Sequence, residues 1–314
     1  MGKTAVRRLL GLSVALATSA LVGAASAAAS VQIGATFTPD LGCGSPNATL
    51  QAVSPSGQYA APSAGVLTSW SFQADGSPPQ LKFKVGRSVG GNDFTIVGDS
   101  PVQTMTPNAL NTFPTRIPVQ AGDVIGYYHE GPAGGDKCVR NAAPTYSTRF
   151  VNVDPAPGST MTYMTVGALQ VDLSAVLEPD ADHDGFGDET QDKCVGTAGT
   201  FNGCPNTVTV NKLKQKGTKP KVKVKVTVPG AGTLEAGSAS DPMLASAAAA
   251  TSLKPVTETL TSTTKQHIVL ILKLTKSAKR KLSEKGKLKA KVKVLYTPPG
   301  GPAGSQTDKV KLKS

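Results

Sequence analysis

The chain has 314 residues, with 33 Lys+Arg against 21 Asp+Glu and a net charge of +12. The excess is unevenly placed: residues 30–205 hold 8 basic and 16 acidic side chains, a net of −8, whereas residues 206–314 hold 22 and 5, a net of +17. This split predicts separate units with different surfaces. After the first thirty residues no segment is long and apolar enough to span a bilayer as a helix.

Residues 1–29 read as an export signal. Lys3, Arg7 and Arg8 form a charged start, Leu9 to Gly23 is apolar and uncharged, and Ala24-Ala25-Ser26-Ala27 offers the small residues a signal peptidase needs. Cleavage after Ala27 or Ala29 fits. The apolar run is short for a retained anchor. Val6 before Arg7-Arg8 and the plain Leu9-Leu10-Gly11 after it are poor context for a twin-arginine signal. The expectation is a secreted bacterial protein, extracellular or held at the cell surface.

Residues 30–172 read as an all-β unit. Short apolar or β-branched runs (Gly65–Phe72, Leu81–Val85, Phe94–Val97, Asp123–His129) alternate with Gly, Pro, Ser and Asn clusters. Leu81, Phe83 and Val85 alternate with Lys82 and Lys84, the pattern of a half-buried strand. Regularly spaced short strands predict a β-sandwich of jelly-roll type. Trp70 is the chain's only tryptophan. Its neighbours Val66, Leu67 and Phe72 favour a place in the core over a role as a sugar platform.

Residues 173–205 read as a linker that carries a metal loop. In Asp180-Ala-Asp182-His-Asp184-Gly185-Phe186-Gly-Asp188, carboxylates stand at loop positions one, three and five. Gly185 at position six permits the sharp turn that lets them converge, and the carbonyl of Phe186 falls at position seven. Asp188 supplies a further carboxylate. All-oxygen ligation of this kind selects calcium. Glu189, Gln191 and Asp192 compete to close the loop, and Asp192 is favoured. The ligand set is thus Asp180, Asp182, Asp184, Phe186, Asp188 and Asp192. Without a cation the same acidic run would be a solvated, self-repelling linker.

An EF-hand would need Glu at position twelve and a helix before the loop. Gln191 and Pro179 argue against both. The Asp-x-Asp-x-Asp-Gly-x-Gly-Asp run, followed by Asp192-Lys-Cys194, instead resembles a thrombospondin type 3 repeat over roughly Asp180–Pro205. The resemblance implies a calcium-binding segment with little regular secondary structure and cysteines pinning the chain nearby. The sequence departs from that family in having a single copy, and one extra residue before Asp-x-Cys.

The four cysteines, Cys43, Cys138, Cys194 and Cys204, are an even set in an exported chain, which predicts disulfides. Of three possible pairings the economical one is Cys43–Cys138 and Cys194–Cys204. Loop entropy would contribute about 4.7 and about 3 kcal/mol respectively. No Cys-x-x-Cys is present and His129, His183 and His267 are scattered, so a zinc site is not expected.

Residues 206–314 read as a basic, Ig-like β-sandwich. Val222, Val224 and Val226 alternate with lysines, His267–Leu274 reads as a central strand, and Lys287–Val294 alternates again. Between them a short helix is expected from Thr275 as N-cap to Gly286 as terminator. Residues 238–251 read as a loose loop. Lysines at every second position are first the solvent face of strands. They also predict adhesion to an anionic cell-envelope polymer or polysaccharide. Specific nucleic-acid binding is not expected, because Tyr296 is the only aromatic of this stretch and stacking platforms are missing.

No Gly-x-Ser-x-Gly, His-Glu-x-x-His, phosphate loop or cysteine-nucleophile setting occurs. The expectation is therefore an all-β, non-enzymatic calcium-binding protein of adhesive or ligand-binding type, two sandwiches joined by the calcium loop. The alternative is a secreted hydrolase or carbohydrate-binding module with its site in residues 30–172, since paired glycosidase carboxylates follow no spacing rule.

Overall fold

The computed structural model describes residues 29–44, 46–131, 135–216, 220–239 and 252–314. The export signal read at residues 1–28 lies outside the described residues, as does most of the stretch 238–251. The fold is all-β, with antiparallel ladders and one α-helix among the described residues.

Residues 31–178 build two main sheets. One has the spatial order Val31–Ala35, Leu173–Glu178, Gly65–Gln73, Leu110–Val119. The other runs Thr160–Thr162, Asp93–Asp99, Gln80–Gly90, Val124–His129, Asn47–Val53, Ser147–Val151, Met164–Gly167, with Gln103–Thr104 added beside Gln80–Gly90. One core joins them: Ile33, Leu67, Trp70, Phe72 and Leu177 from the first meet Leu81, Phe83, Val85, Ile125 and Tyr127 from the second. Trp70 is fully buried. It stacks on Phe83 at 5.6 Å with 11° between the planes and lies 4.9 Å from Phe113. Trp70 is therefore core and offers no sugar platform. A disulfide joins Cys43 to Cys138.

Three expectations change in and around the cores, and a fourth at Ser238. Leu173–Glu178, assigned to the linker, is an inner strand, paired with both Val31–Ala35 and Gly65–Gln73. Its apolar side chains complete the core, so the linker begins only at Pro179. Lys84, expected on a solvent face, is fully buried. The segment around Asp154 and Pro155 covers that face. There the Lys84 ammonium donates to Asp99 Oδ2 at 2.7 Å and to the Pro155 carbonyl at 2.9 Å, and pairs with Asp154. A buried cation persists only with such partners. Third, the apolar run His267–Leu274 is not central. The strand Gln266–Lys273 lies at the end of its sheet and leaves Val269 47% exposed. A continuous apolar run does not require cover on both faces in an antiparallel sheet.

Residues 209–313 build two further sheets, ordered Thr209–Gln215, Lys221–Val228, Gln266–Lys273 and Val256–Leu260, Gly232–Ser238, Lys287–Thr297, Gly304–Lys313. Their inner faces share a second core that includes Val222, Val224, Leu272, Val292, Val294 and Leu312. No ladder joins these sheets to those of residues 31–178 among the described residues. The helix Lys276–Lys285 starts as expected, with Thr275 Oγ1 accepting from Ala278 N. Gly286 ends it at φ 64°, in the left-handed region that glycine adopts without penalty. Ser238 belongs to a strand rather than a loose loop: its buried hydroxyl accepts from the amides of Ser252 and Leu253.

Candidate metal centre

The Asp180–Asp192 loop follows the Leu173–Glu178 strand directly and is fixed from below by it. Glu178 is almost fully buried, and its carboxylate accepts from Thr68 Oγ1, Glu189 N, Thr190 N and Thr190 Oγ1. Burial alone would raise its pKa, but these bonds outweigh it and hold the group below the usual carboxylate range. Gln191 Nε2 donates to the Thr115 carbonyl at 2.7 Å, and the Arg116 guanidinium lies 4.1 Å from the centre of the Phe186 ring. Sequence reading had no access to the Glu178 anchor, because a lone glutamate before proline carries no motif.

Within the loop the backbone is turned by its own carboxylates. Asp180 accepts from the amides of Asp184 and Gly185, at 3.1 and 3.0 Å. Asp184 accepts from Phe186 N and, across the segment, from Gly199 N. Gly185 has φ 84° and His183 φ 60°, the reversal that the glycine was expected to permit. The result gathers Asp180, Asp182 and Asp184, each offering a carboxylate oxygen within 4.8 Å of the others. This group can hold a metal ion. Asp188 accepts from Ala181 N at 3.2 Å and lies outside the tight trio. Phe186 enters through its amide, bonded to Asp184.

Asp192 is 1% exposed. Its Oδ1 accepts from Cys194 N at 2.6 Å, which links the loop to the Cys194–Cys204 disulfide. Asp192 Oδ2 is buried and has no hydrogen-bond partner among the described residues; neither do both oxygens of Asp182 nor Gln191 Oε1. Buried acceptors without donors are costly, and four of them fall within eleven residues of this acidic loop. The same crowding raises pKa values. Burial, then Asp184 and Asp180, pushes Asp182 up. Burial, then the carboxylates of Asp184, Asp182 and Asp188, pushes Asp192 up to about 7. These carboxylates therefore sense one another's charge, although Asp192 and Asp188 are not in the trio.

Family models, curated proteins and solved structures give no match to this chain. The site therefore rests on its own geometry. An open cleft of about 560 Å³ borders it, lined by Asp180, His183, Asp184 and Gly185 on the loop side and by Arg87 and Gln120 on the other. Arg87 is already engaged, its Nε and Nη2 both donating to Asp123 at 2.7 Å.

The far side of the segment grips residues 230–304. Ala231 N donates to the Lys193 carbonyl, Asn202 Nδ2 to the Pro299 carbonyl, and Tyr296 Oη to the Ala231 carbonyl beside Cys194 Sγ. Two glycines make the fit possible. A Cβ on Gly301 would meet Phe201 at 2.4 Å, and one on Gly230 would meet Cys194 Sγ at 2.6 Å.

Proposed function

We propose that the Asp180–Asp192 loop binds one calcium ion and that the loaded loop is a rigid joint in an exported, non-enzymatic protein. The carrying observation is the pair of buried, donorless oxygens of Asp182 within the Asp180–Asp182–Asp184 trio, with the donorless Oδ2 of Asp192, a carboxylate that feels the charges of Asp184 and Asp182. The trio itself offers only carboxylate oxygens, the chemistry of a hard cation. Magnesium demands a compact octahedron and keeps its waters, whereas calcium takes six to eight protein oxygens in flexible geometry. Asp180, Asp182, Asp184 and the Phe186 carbonyl would hold the ion, with Asp188 directly or through water. Asp192 closes the loop.

The reading as a thrombospondin type 3-like segment follows from the same residues: an aspartate loop, little regular structure and an adjacent cysteine pair. Export is supported by the amino-terminal signal pattern and is compatible with two disulfides. An extracellular site of this kind has an affinity of about 10⁻⁴–10⁻³ M, filled where calcium is millimolar. Calorimetric titration tests the proposal. The full chain is expected to bind one calcium ion, with magnesium weaker by at least about tenfold. The variant Asp182→Asn/Asp184→Asn is expected to lose the binding heat. A wild-type titration without heat or saturation contradicts the proposal.

A further inference from the structure

One long sheet edge lacks the protection that the other long edges carry. Among the described residues, four end strands run longer than five residues: Leu110–Val119, Thr209–Gln215, Gln266–Lys273 and Gly304–Lys313. An open edge is a template for another strand, and proteins blunt it with proline, lysine or a break in register. Leu110–Val119 contains Pro114 and Pro118. Thr209–Gln215 has Lys212, Lys214 and a register shift after Val210. Gly304–Lys313 has Lys309, Lys311 and Lys313. Gln266–Lys273 keeps an unbroken register with its single neighbour, holds no proline, and carries no lysine before its last residue.

Hydrogen bonds identify which of its backbone groups are open. Leu274 N donates to the Pro220 carbonyl, on the side of Lys221–Val228, whereas the Lys273 carbonyl accepts from Lys254 N on the opposite side. Backbone groups alternate along an antiparallel ladder. Ile268, Leu270 and Leu272 therefore bond into the sheet, and His267, Val269 and Ile271 turn N–H and C=O to the open edge. The chain itself begins a strand there: Leu253 stands opposite Leu274. After Pro255 it leaves for Val256–Leu260, which pairs in the other sheet. The open window is His267–Ile271, centred on Val269.

The side chains of the window indicate its occupant. His267, Val269 and Ile271 share the outer face of the sheet and include no lysine and no acid. Val269 is 47% exposed. An uncharged, β-branched edge is met best by a strand of the same kind. A second copy supplies one, antiparallel about a two-fold axis at Val269. His267 then stands opposite the partner's Ile271, and Val269 opposite the partner's Val269. Each of the three residues exchanges both backbone bonds, with no donor or acceptor left over. Charge permits the pairing. Lys225 lies one strand further in, opposite Val269. It and its counterpart would be three strand spacings apart, ~14 Å, beyond the screening length of ~8 Å at physiological salt. At each end Lys273 comes near the partner's Lys265, a like-charge contact that salt weakens. We propose that this edge is a self-association surface, through which two copies join their three-stranded sheets into one. This proposal is independent of the calcium site.

Sedimentation equilibrium of the full chain in calcium tests it. The mass is expected to rise from one copy to two, and no further, between ~10 µM and ~1 mM, the range of a small interface. Added salt should tighten the association. Val269→Lys sets like charges on the two-fold axis and is expected to weaken association at least about tenfold. Val269 is already half exposed, so the dilute variant should melt at the wild-type temperature. Amide exchange by NMR reads the register. The amides of His267, Val269 and Ile271 should exchange fast when dilute and slow down on concentration, with Ile268, Leu270 and Leu272 protected throughout. A wild type that stays monomeric, growth beyond a pair, or undiminished association in Val269→Lys overturns the proposal. So does slow exchange of the three edge amides in a dilute monomer, which would mean that the chain covers its own edge.

Discussion

Gly203 shows how tightly the acidic loop and the small disulfide ring are fitted. It has φ 77°, and a Cβ placed on it would come within 1.8 Å of Asp192 Oδ1. Asp192 cannot yield freely, because that oxygen already accepts from Cys194 N. Gly203→Ala is therefore expected to displace the Asp192 carboxylate, to lower the proposed calcium affinity at least about tenfold, and to destabilise the chain by about 1–3 kcal/mol through backbone strain. Calorimetry and a thermal melt on the same variant check both. The Asp180–Asp182–Asp184 cluster and the turn at Gly185 were legible in the sequence because spacing alone expresses them. Gly203 and Glu178 were not, since their meaning depends on a neighbour brought close by the fold. Lys84 belongs with them: alternation marked it as exposed, and only the Asp154–Pro155 segment, seventy residues away in sequence, buries it.

At the scale of elements, local signals were read well wherever the decisive interactions are local. The helix Lys276–Lys285 begins and ends at the residues its capping pattern names. Replacing its cap, Thr275→Ala, is expected to cost about 1 kcal/mol in chemical denaturation, without effect on calcium binding. Strands with alternating side chains, such as Lys221–Val228, were equally clear. The strand Leu173–Glu178 was not, because Leu-Ser-Ala-Val-Leu-Glu lacks a two-residue alternation and runs into Pro179 and the acidic loop. Its partners, Val31–Ala35 and Gly65–Gln73, lie more than a hundred residues earlier. The strand Gln266–Lys273 failed in the opposite sense: eight mostly apolar residues looked doubly covered, yet the register gives it one neighbour. Periodicity reports which residues can be buried, and sheet order decides which are.

Over the whole molecule, the acidic and basic halves meet at residues 179–206. On one side this segment is held by Glu178, Thr115 and Arg116, and on the other by Ala231, Pro299 and Tyr296. In between, its own regular structure is slight, and burial, followed by neighbouring carboxylates, pushes the pKa of Asp182, Asp188 and Asp192 upward. On the proposed reading, a cation at the trio would offset that repulsion and give the buried Asp182 oxygens a partner. With ~2 mM calcium and an affinity near ~0.3 mM, ligand linkage contributes about 1 kcal/mol to stability. That is small for the whole fold but large for a segment of about twenty-five residues. Hydrogen exchange of the full chain, with peptides covering residues 180–205 compared in calcium and in chelator, tests the joint most directly. Strong protection of these peptides in calcium and its loss in chelator, with the flanking strands unchanged, is the result expected. Equal exchange in the two conditions would contradict a calcium-locked joint.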